Sequence, residues 1–213
     1  MTKLVALPRG ALRHLASADA RLARWMKRLG PFAMQRQSGR SHYELLARSI
    51  VYQQLSGRAA STIFHRVCRL TPGPGFPRAD ALLRFDDDRL RAAGLSRQKV
   101  AALHDLAAHL VDGRLPLRSI SRLGDEQVIQ ALCAVRGIGR WTAEMFLMFR
   151  LGRLDVLPAT DLGVQKGLAR LDRLPRLPTP RELLARGERW RPYRSVAAWY
   201  LWRLVDSENV GGW

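Results

Sequence analysis

The fold is decided by the stretch Leu132-Cys-Ala-Val-Arg-Gly-Ile-Gly-Arg-Trp-Thr-Ala143. Apolar residues recur at helical spacing on both sides of it, which predicts two helices joined by a Gly-Ile-Gly turn. Gly137 and Gly139 let the backbone turn tightly and approach another surface without a Cβ atom in the way. The turn opens onto a helix N-terminus, where free N–H groups and the helix dipole favour an anion. The stretch therefore predicts a hairpin that can hold a DNA phosphate through its backbone.

Composition agrees with a polyanionic partner. The 213 residues carry 36 Lys and Arg against 18 Asp and Glu, for a formal net charge of +18. Such a balance favours nucleic acid as the partner. Because only Lys3, Lys27, Lys99 and Lys166 are lysines, the excess is mostly arginine. A genome rich in G and C produces the same bias, so the charge alone does not decide the function.

The two cysteines, Cys68 and Cys133, lie far apart in helical contexts. Two such residues cannot build a disulfide framework or hold an iron–sulfur cluster. No stretch approaches the ~20 apolar residues of a membrane helix. We therefore expect a cytoplasmic protein that does not contact membranes.

Helical periodicity dominates the chain, and no segment keeps a period of two, so the fold class is all-α. Ser41 and Ser96 are expected to cap helices, and Asp125 or Gly124 to open the first hairpin helix. One helix is expected over residues 79–93, and Pro192 is expected to begin the last helix. We expect two helical subdomains with the hairpin, at about 125–150, beside the cleft between them. Residues 1–40 and 155–213 would form the terminal subdomain, and residues 41–154 the central one.

Asp161 follows the loop Leu157-Pro-Ala-Thr and precedes an apolar helix. Taken alone, this position is typical of an aspartate that caps a helix N-terminus. Its place downstream of the glycine hairpin adds a second interpretation, in which the carboxylate performs chemistry beside bound DNA.

Three segments together resemble the helix-hairpin-helix (HhH-GPD) DNA glycosylase superfamily. They are the hairpin at 135–143, the loop Leu157–Asp161 and the stretch Glu188-Arg-Trp-Arg-Pro-Tyr-Arg-Ser195. The resemblance covers roughly Ser41 to Trp202 and is strongest to the bacterial 3-methyladenine DNA glycosylase II branch. It implies an enzyme that flips a damaged base out of double-stranded DNA and hydrolyses its N-glycosidic bond. The chain is expected to lack the N-terminal β-domain of those relatives.

The resemblance places Asp161 at the catalytic aspartate. A carboxylate there would stabilise the positive charge that develops on the sugar during bond cleavage. An alkylated purine already carries positive charge and leaves readily, so no general acid is required. Trp141 stands where relatives that also nick the strand have a lysine, which implies a monofunctional enzyme that leaves an abasic site.

The base pocket implied by the resemblance holds two aromatic residues, Trp141 and Trp202. Trp141 can stack on a cationic base. The alternative is that Trp141 is an aromatic residue of the core, and this alternative has more weight for Trp202. Met145 and Leu162 stand where close relatives carry aromatic rings, which implies a wider and less aromatic pocket.

The implied grip on DNA has several parts. Gln54, with Leu55 beside it, aligns with the wedge that fills the space left by the flipped base. An equal alternative is that Gln53 or Gln54 is a buried glutamine that satisfies backbone groups. A monovalent cation, Na⁺ or K⁺, would bind carbonyls of the hairpin, and no other cofactor is expected. The carbonyls are those of Cys133, Val135 and Ile138. The expected DNA contacts are Arg136, Gly137, Ile138, Gly139, Arg140 and Arg194.

The leading hypothesis is a monomeric, nucleoid-associated bacterial glycosylase that excises alkylated purines from DNA. One alternative is a helix-hairpin-helix module that binds DNA without catalysis, which would leave Asp161 and Trp141 unexplained. The other is a glycosylase for oxidised or deaminated bases.

Overall fold

The structure is a computed structural model that describes residues 3–209. Helices dominate it, so the all-α fold class is confirmed. In chain order the twelve α-helices of this range are α1 (Ala11–Ala18), α2 (Ala20–Leu29), α3 (His42–Tyr52), α4 (Gly57–Cys68), α5 (Ala79–Leu82), α6 (Asp87–Ala92), α7 (Arg97–Val111), α8 (Asp125–Cys133), α9 (Arg140–Met145), α10 (Leu162–Asp172), α11 (Pro180–Gly187) and α12 (Arg194–Asn209). Short 3₁₀ turns occupy Ile120–Arg122 and Glu188–Trp190, and a π-helical segment, Phe146–Leu151, follows α9. No helix within residues 3–209 is both long and apolar enough to cross a bilayer.

The chain divides into two compact units, which we call terminal and central. The terminal unit contains the residues up to Ser38 and those from Glu144 onward, and the central unit is Gly39–Ala143. The terminal unit also holds two antiparallel strands of two residues, β1 (Lys3–Leu4) and β2 (Gln35–Arg36). Strands this short escape a search for alternating hydrophobicity, because a period of two needs a longer run.

In the central unit, serine hydroxyls begin three helices. Ser41, Ser56 and Ser96 each accept a hydrogen bond from the backbone N–H three residues later. The caps at Ser41 and Ser96 are those expected from the sequence. Gly124 precedes α8, and its N–H donates to the Gln127 side chain over 2.9 Å. These caps satisfy donors that a helix N-terminus otherwise leaves unpaired.

In the terminal unit, α10 packs closely against α12. A Cβ atom added at Gly167 would lie 2.5 Å from the backbone oxygen of Leu201. No side chain fits at Gly167, so the glycine sets how closely the two helices approach. The core beneath this contact is apolar and includes Val164, Leu168, Val196, Ala197, Leu201 and Leu204.

The last helix begins later than the sequence predicts. Pro192 does not lie in it: the Arg191–Pro192 peptide is cis, and α12 begins at Arg194. Long-range contacts determine this start, because the Ser195 N–H donates to the carbonyl of Leu154 over 2.9 Å. The Ser195 hydroxyl also bonds to the N–H and the carbonyl of Val156.

Candidate active site

Asp161 occupies a loop whose backbone is held on both sides. Its N–H donates to the carbonyl of Pro158 over 3.0 Å, and its carbonyl accepts from the N–H of Gln165. The Gln165 side chain returns to donate to the carbonyl of Ala159 over 2.9 Å. These bonds close the turn from loop to α10 and fix the position of the Asp161 Cα atom.

The Asp161 carboxylate receives two hydrogen bonds on one oxygen. Oδ1 accepts from the backbone N–H of Val164 and from the indole Nε1–H of Trp202, each over 2.8 Å. The first bond makes Asp161 the N-cap of α10, which is the structural interpretation that the sequence allowed. The second comes from α12 and is not required by a cap. Together the two donors fix the orientation of the half-buried carboxylate.

Trp202 reaches Asp161 because residue 163 is a glycine. A Cβ atom there would lie 2.7 Å from Cδ1 of Trp202 and 3.1 Å from Oδ1 of Asp161. On its other side the Trp202 ring stacks on Phe149, with centroids 5.8 Å apart and planes inclined by 27°. The indole is therefore held between α10 and the π-helical segment, with its N–H directed at the carboxylate.

The other residues of the expected base pocket differ in exposure. Leu162 is 53% exposed and lies next to Asp161 in the terminal unit, where Met145 is half-buried. Trp141 lies in the central unit and is 47% exposed. A large aromatic ring with half its surface in solvent is not a core residue, so the interpretation of Trp141 as core packing is wrong. Trp202 is half-buried, with one polar contact to Asp161 and one stacking contact to Phe149.

The glycine hairpin adopts the tight turn that the sequence predicts. Gly137 has a φ of 80°, in the left-handed region, and a Cβ atom there would meet the Ala102 side chain at 3.0 Å. Within the turn the Ile138 N–H donates to the carbonyl of Val135 over 3.1 Å. An open depression of about 650 Å³ runs along Cys133–Gly139 and Asp105.

The three expected cation ligands, Cys133, Val135 and Ile138, all line this depression. Backbone carbonyls are ligands that monovalent cations accept. The Val135 carbonyl already accepts one hydrogen bond, but a carbonyl oxygen has a second lone pair. A Na⁺ or K⁺ ion at these main-chain oxygens stays a prediction.

The three arginines expected at DNA have different surroundings. Arg136 is exposed on the hairpin. The guanidinium of Arg140 forms a bidentate pair with Glu126, with both N–O distances 2.9 Å, and this pair lowers the pKa of Glu126.

Arg194 is only 12% exposed, and its guanidinium binds the Asp155 carboxylate at 2.8 and 3.1 Å. It also donates to the Asp155 carbonyl. In place of the expected phosphate contact, we assign Arg194 the structural role of holding the start of α12 to this loop.

The turn after α3 carries the expected wedge. Gln54 and Leu55 are both exposed, and Gln54 is held at a φ of 57°, which non-glycine residues rarely adopt. The neighbouring Gln53 donates from Nε2 to the carbonyl of Gly137 over 2.8 Å. Of the two glutamines, Gln53 is thus the one that satisfies a backbone group, and Gln54 is the one directed to solvent.

Sequence reasoning missed four residues that shape these sites. Gly163 leaves room for the Trp202 ring, and Gly167 leaves room for the backbone of α12. Lys99 binds the turn after α3, which carries the expected wedge, and Asp105 binds the glycine hairpin. The sequence did contain a signal for Gly163 and Gly167, because two glycines four residues apart lie on the same face of a helix. Lys99 and Asp105 share a face of α7, but nothing local shows what that face contacts.

Comparison with known proteins places this arrangement in a family. The family model described as "HhH-GPD superfamily base excision DNA repair protein" matches residues 47–192. DNA-3-methyladenine glycosylase 1 of Schizosaccharomyces pombe is 37% identical over 192 residues, which are 89% of this chain and 84% of the relative.

Two solved structures are similar to the whole fold. The S. pombe 3-methyladenine DNA glycosylase in complex with abasic DNA has a TM-score of 0.75 and 37% identity, covering 91% of this chain and 95% of its own. A DNA-3-methyladenine glycosidase from Bacillus halodurans has a TM-score of 0.86 and 34% identity, covering 99% and 94%. The chain belongs to the HhH-GPD superfamily of base excision DNA repair proteins.

Proposed function

We propose that this protein is a monofunctional DNA glycosylase that excises alkylated purines and leaves an abasic site. Family membership and the names of the relatives support the reaction class. The observation that carries the assignment of a catalytic residue is the Asp161 carboxylate, held by the Val164 N–H and the Trp202 indole N–H. A cap alone needs only the first of these bonds, so the second is best explained by a requirement for a fixed carboxylate.

In the proposed reaction the bond between C1′ of the sugar and the purine nitrogen breaks, and its electron pair leaves with the base. The sugar becomes an oxocarbenium-like cation, which the Asp161 carboxylate stabilises electrostatically. A water molecule then bonds to C1′ and loses a proton, giving the abasic site. Alkylation makes the base a good leaving group without a protein acid.

Trp141 has two roles in the proposal. Its exposed indole can stack on the flipped, cationic base, where a cation–π contact favours alkylated purines. It also replaces the lysine that a strand-nicking enzyme needs for a Schiff base. Met145 and Leu162, both in the terminal unit, are proposed to contact the flipped base with apolar, non-aromatic side chains.

The central unit supplies the proposed grip on DNA. Backbone amides around Gly137 and Gly139 hold a phosphate. The carbonyls of Cys133, Val135 and Ile138 would bind a Na⁺ or K⁺ ion, which would supply positive charge to the same phosphate. Arg136 is the exposed cation of the hairpin, and Arg140 can exchange its contact with Glu126 for a phosphate. Gln54 and Leu55 are the proposed wedge, and a nucleoid-associated monomer in a bacterial cytoplasm is the proposed setting.

The Asp161→Asn variant tests the proposal. Asparagine still offers an oxygen to Val164 and Trp202, so the cap and the fold are expected to persist. Base release from duplexes that each carry one lesion, scored by alkaline cleavage, should fall by at least about a hundredfold. Affinity for the same duplexes should stay within about twofold. Asp206→Asn, at an exposed acid on α12, controls for the loss of one negative charge.

Two results would overturn the proposal in different ways. Wild-type protein that binds DNA but releases no base from any lesion would favour the non-catalytic DNA-binding module. Release only of oxidised or deaminated bases would favour the alternative of a glycosylase for those bases. A covalent adduct trapped by borohydride, or strand cleavage before alkali, would contradict the monofunctional assignment.

A further inference from the structure

One face of α7 holds together two segments that are far apart in sequence. Lys99, Ala102 and Asp105 are spaced by three residues, so they lie along the same side of the helix. Each contacts the wedge turn (residues 53–56) or the glycine hairpin (residues 135–139). All three belong to the central unit.

Lys99 holds the wedge turn. Its ammonium group donates to the carbonyl of Val51 over 2.7 Å and to the carbonyl of Gln53 over 2.8 Å. These carbonyls lie at the end of α3, where no helical N–H remains to bind them. Burial lowers the pKa of Lys99, so the ammonium charge is held there at a desolvation cost. Gln54, which directly follows Gln53, has the left-handed backbone conformation. A non-glycine residue keeps this conformation only where its surroundings enforce it.

Asp105 and Ala102 hold the hairpin. Oδ2 of Asp105 accepts the backbone N–H of Arg136 over 2.7 Å. The Ala102 methyl group lies so close beneath Gly137 that an added Cβ atom would be 3.0 Å from it. A carboxylate placed beside a DNA-binding hairpin opposes DNA binding by its charge, so its bond to Arg136 must serve another purpose.

A direct bond also joins the two segments. The side-chain amide of Gln53 donates to the carbonyl of Gly137 over 2.8 Å. The wedge turn and the hairpin are therefore linked twice, once through α7 and once through Gln53. A shift of either segment would break hydrogen bonds at the other.

We propose that Lys99 is a positioning residue that fixes the wedge turn relative to the DNA-gripping hairpin, so that holding the phosphate directs Gln54 and Leu55 into the base stack. The inference rests on the proposed function of these two segments in DNA binding. Lys99 itself contacts no DNA in this scheme. Its loss should impair insertion of the wedge and leave binding by the hairpin intact.

The test uses full-length protein and a duplex with a tetrahydrofuran abasic analogue opposite 2-aminopurine. Insertion of a wedge unstacks the 2-aminopurine and raises its fluorescence, and no catalysis is needed. Lys99→Met should bind this duplex within about threefold of wild type and lose most of the fluorescence rise, as should a Leu55→Ala reference variant. Lys99→Arg, which keeps a donor for the carbonyls, should restore part of the rise. Arg97→Met, at an exposed cation in the same turn of α7, controls for charge.

A second readout separates positioning from simple destabilisation. Single-turnover release of 7-methylguanine is compared opposite cytosine, where the base must be extracted from a pair, and opposite the abasic analogue. Lys99→Met and Gln53→Ala should each lower the rate of release in both duplexes unequally. The decrease opposite cytosine should be about tenfold larger than the decrease opposite the abasic analogue. A variant that only loses stability would slow both equally.

The outcomes distinguish this inference from the proposed function. Wild-type protein that raises 2-aminopurine fluorescence but releases no base would overturn the glycosylase proposal. The fluorescence test of Lys99→Met would still decide the positioning role. A full fluorescence rise in Lys99→Met, with folded protein by thermal melting, would overturn the positioning role of Lys99 whatever the result for Gln53→Ala.

Discussion

The indole N–H of Trp202, on α12, donates a 2.8 Å hydrogen bond to Oδ1 of Asp161, the residue that caps α10. The same oxygen accepts the Val164 N–H, so one atom serves both helix capping and the contact between helices. A carboxylate held by two donors from two helices cannot rotate without losing both. Such preorganisation is what electrostatic stabilisation of a transition state requires.

Trp202→Phe should separate orientation of Asp161 from packing. Phenylalanine keeps an aromatic ring against Phe149 but has no donor, so the carboxylate loses the bond from α12 and keeps the cap bond from Val164. We expect single-turnover base release to fall about tenfold, the typical effect of one lost hydrogen bond to a charged group. Phe149→Leu is the matched control, since it removes the stacking partner and keeps the indole N–H. Equal rates in Trp202→Phe and wild type would show that the bond has no part in the reaction.

Much of the helical framework follows from local signals. Ser41, Ser96 and the Asp125 region mark the starts of helices that the structure confirms, because a cap needs only a side chain and backbone a few residues away. The Gly-Ile-Gly turn is likewise local. Such features are predictable because the residues that determine them are adjacent in sequence.

One local signal was missed. The helix expected over residues 79–93 is two helices, α5 and α6, since Asp86 caps a new one by accepting the N–H of Arg89 over 2.7 Å. Features that depend on distant contacts could not be predicted from local patterns. The start of α12 depends on contacts of Ser195 and Arg194 with the loop at 154–156. The bonds of Lys99 to α3 join residues far apart in sequence, and no local pattern shows them.

Gly163 and Gly167 should respond differently to alanine. At Gly167 the new methyl group would meet the backbone oxygen of Leu201, which cannot move without α12, so Gly167→Ala should destabilise the protein by about 1–3 kcal/mol. At Gly163 it would meet the edge of the Trp202 ring. We expect Gly163→Ala to displace that ring and lower base release more than it lowers stability. Urea denaturation and single-turnover release, measured on both variants, check this contrast, and identical effects on both measurements would contradict it.

DNA affinity should fall steeply with salt, because binding to several phosphates releases counterions. Arg136→Ala, which removes the exposed cation of the hairpin, should reduce the slope of log affinity against log salt by about one. Arg194→Ala is the contrasting variant, since its guanidinium is bound to Asp155. It should leave the slope unchanged and lower the free energy of unfolding. Fluorescence anisotropy with an undamaged duplex at several salt concentrations measures the slopes, and a flat dependence for wild type would count against DNA as the partner.

A buried ionic cluster in the terminal unit should make stability depend on pH. Asp19 is 4% exposed and caps α2, and its Oδ2 accepts the Trp190 indole N–H at 2.9 Å and contacts Arg186 at 2.7 Å. Burial raises the pKa of Asp19, but the bonds from Leu22, Trp190 and Arg186 outweigh it, so the pKa lies below its ordinary value of 3.8. A lowered pKa means that the ionised form stabilises the folded state, and that this stabilisation is lost as the pH falls through the folded pKa.

The Asp19→Asn variant tests that cluster. Asparagine can still accept the helix N–H groups, but it leaves Arg186 with Asp172 as its remaining acid partner. We expect the variant to be less stable than wild type by about 3 kcal/mol at pH 7, as for other buried ion pairs that lose one member. The difference should persist down to about pH 4. It should narrow as the pH falls below the ordinary pKa of 3.8, where Asp19 of the unfolded wild-type chain takes up a proton, and continue to narrow through the lower pKa of folded Asp19. Urea denaturation of both proteins at a series of pH values measures the difference, and a gap that stays constant into strong acid would show that the charge of Asp19 contributes nothing.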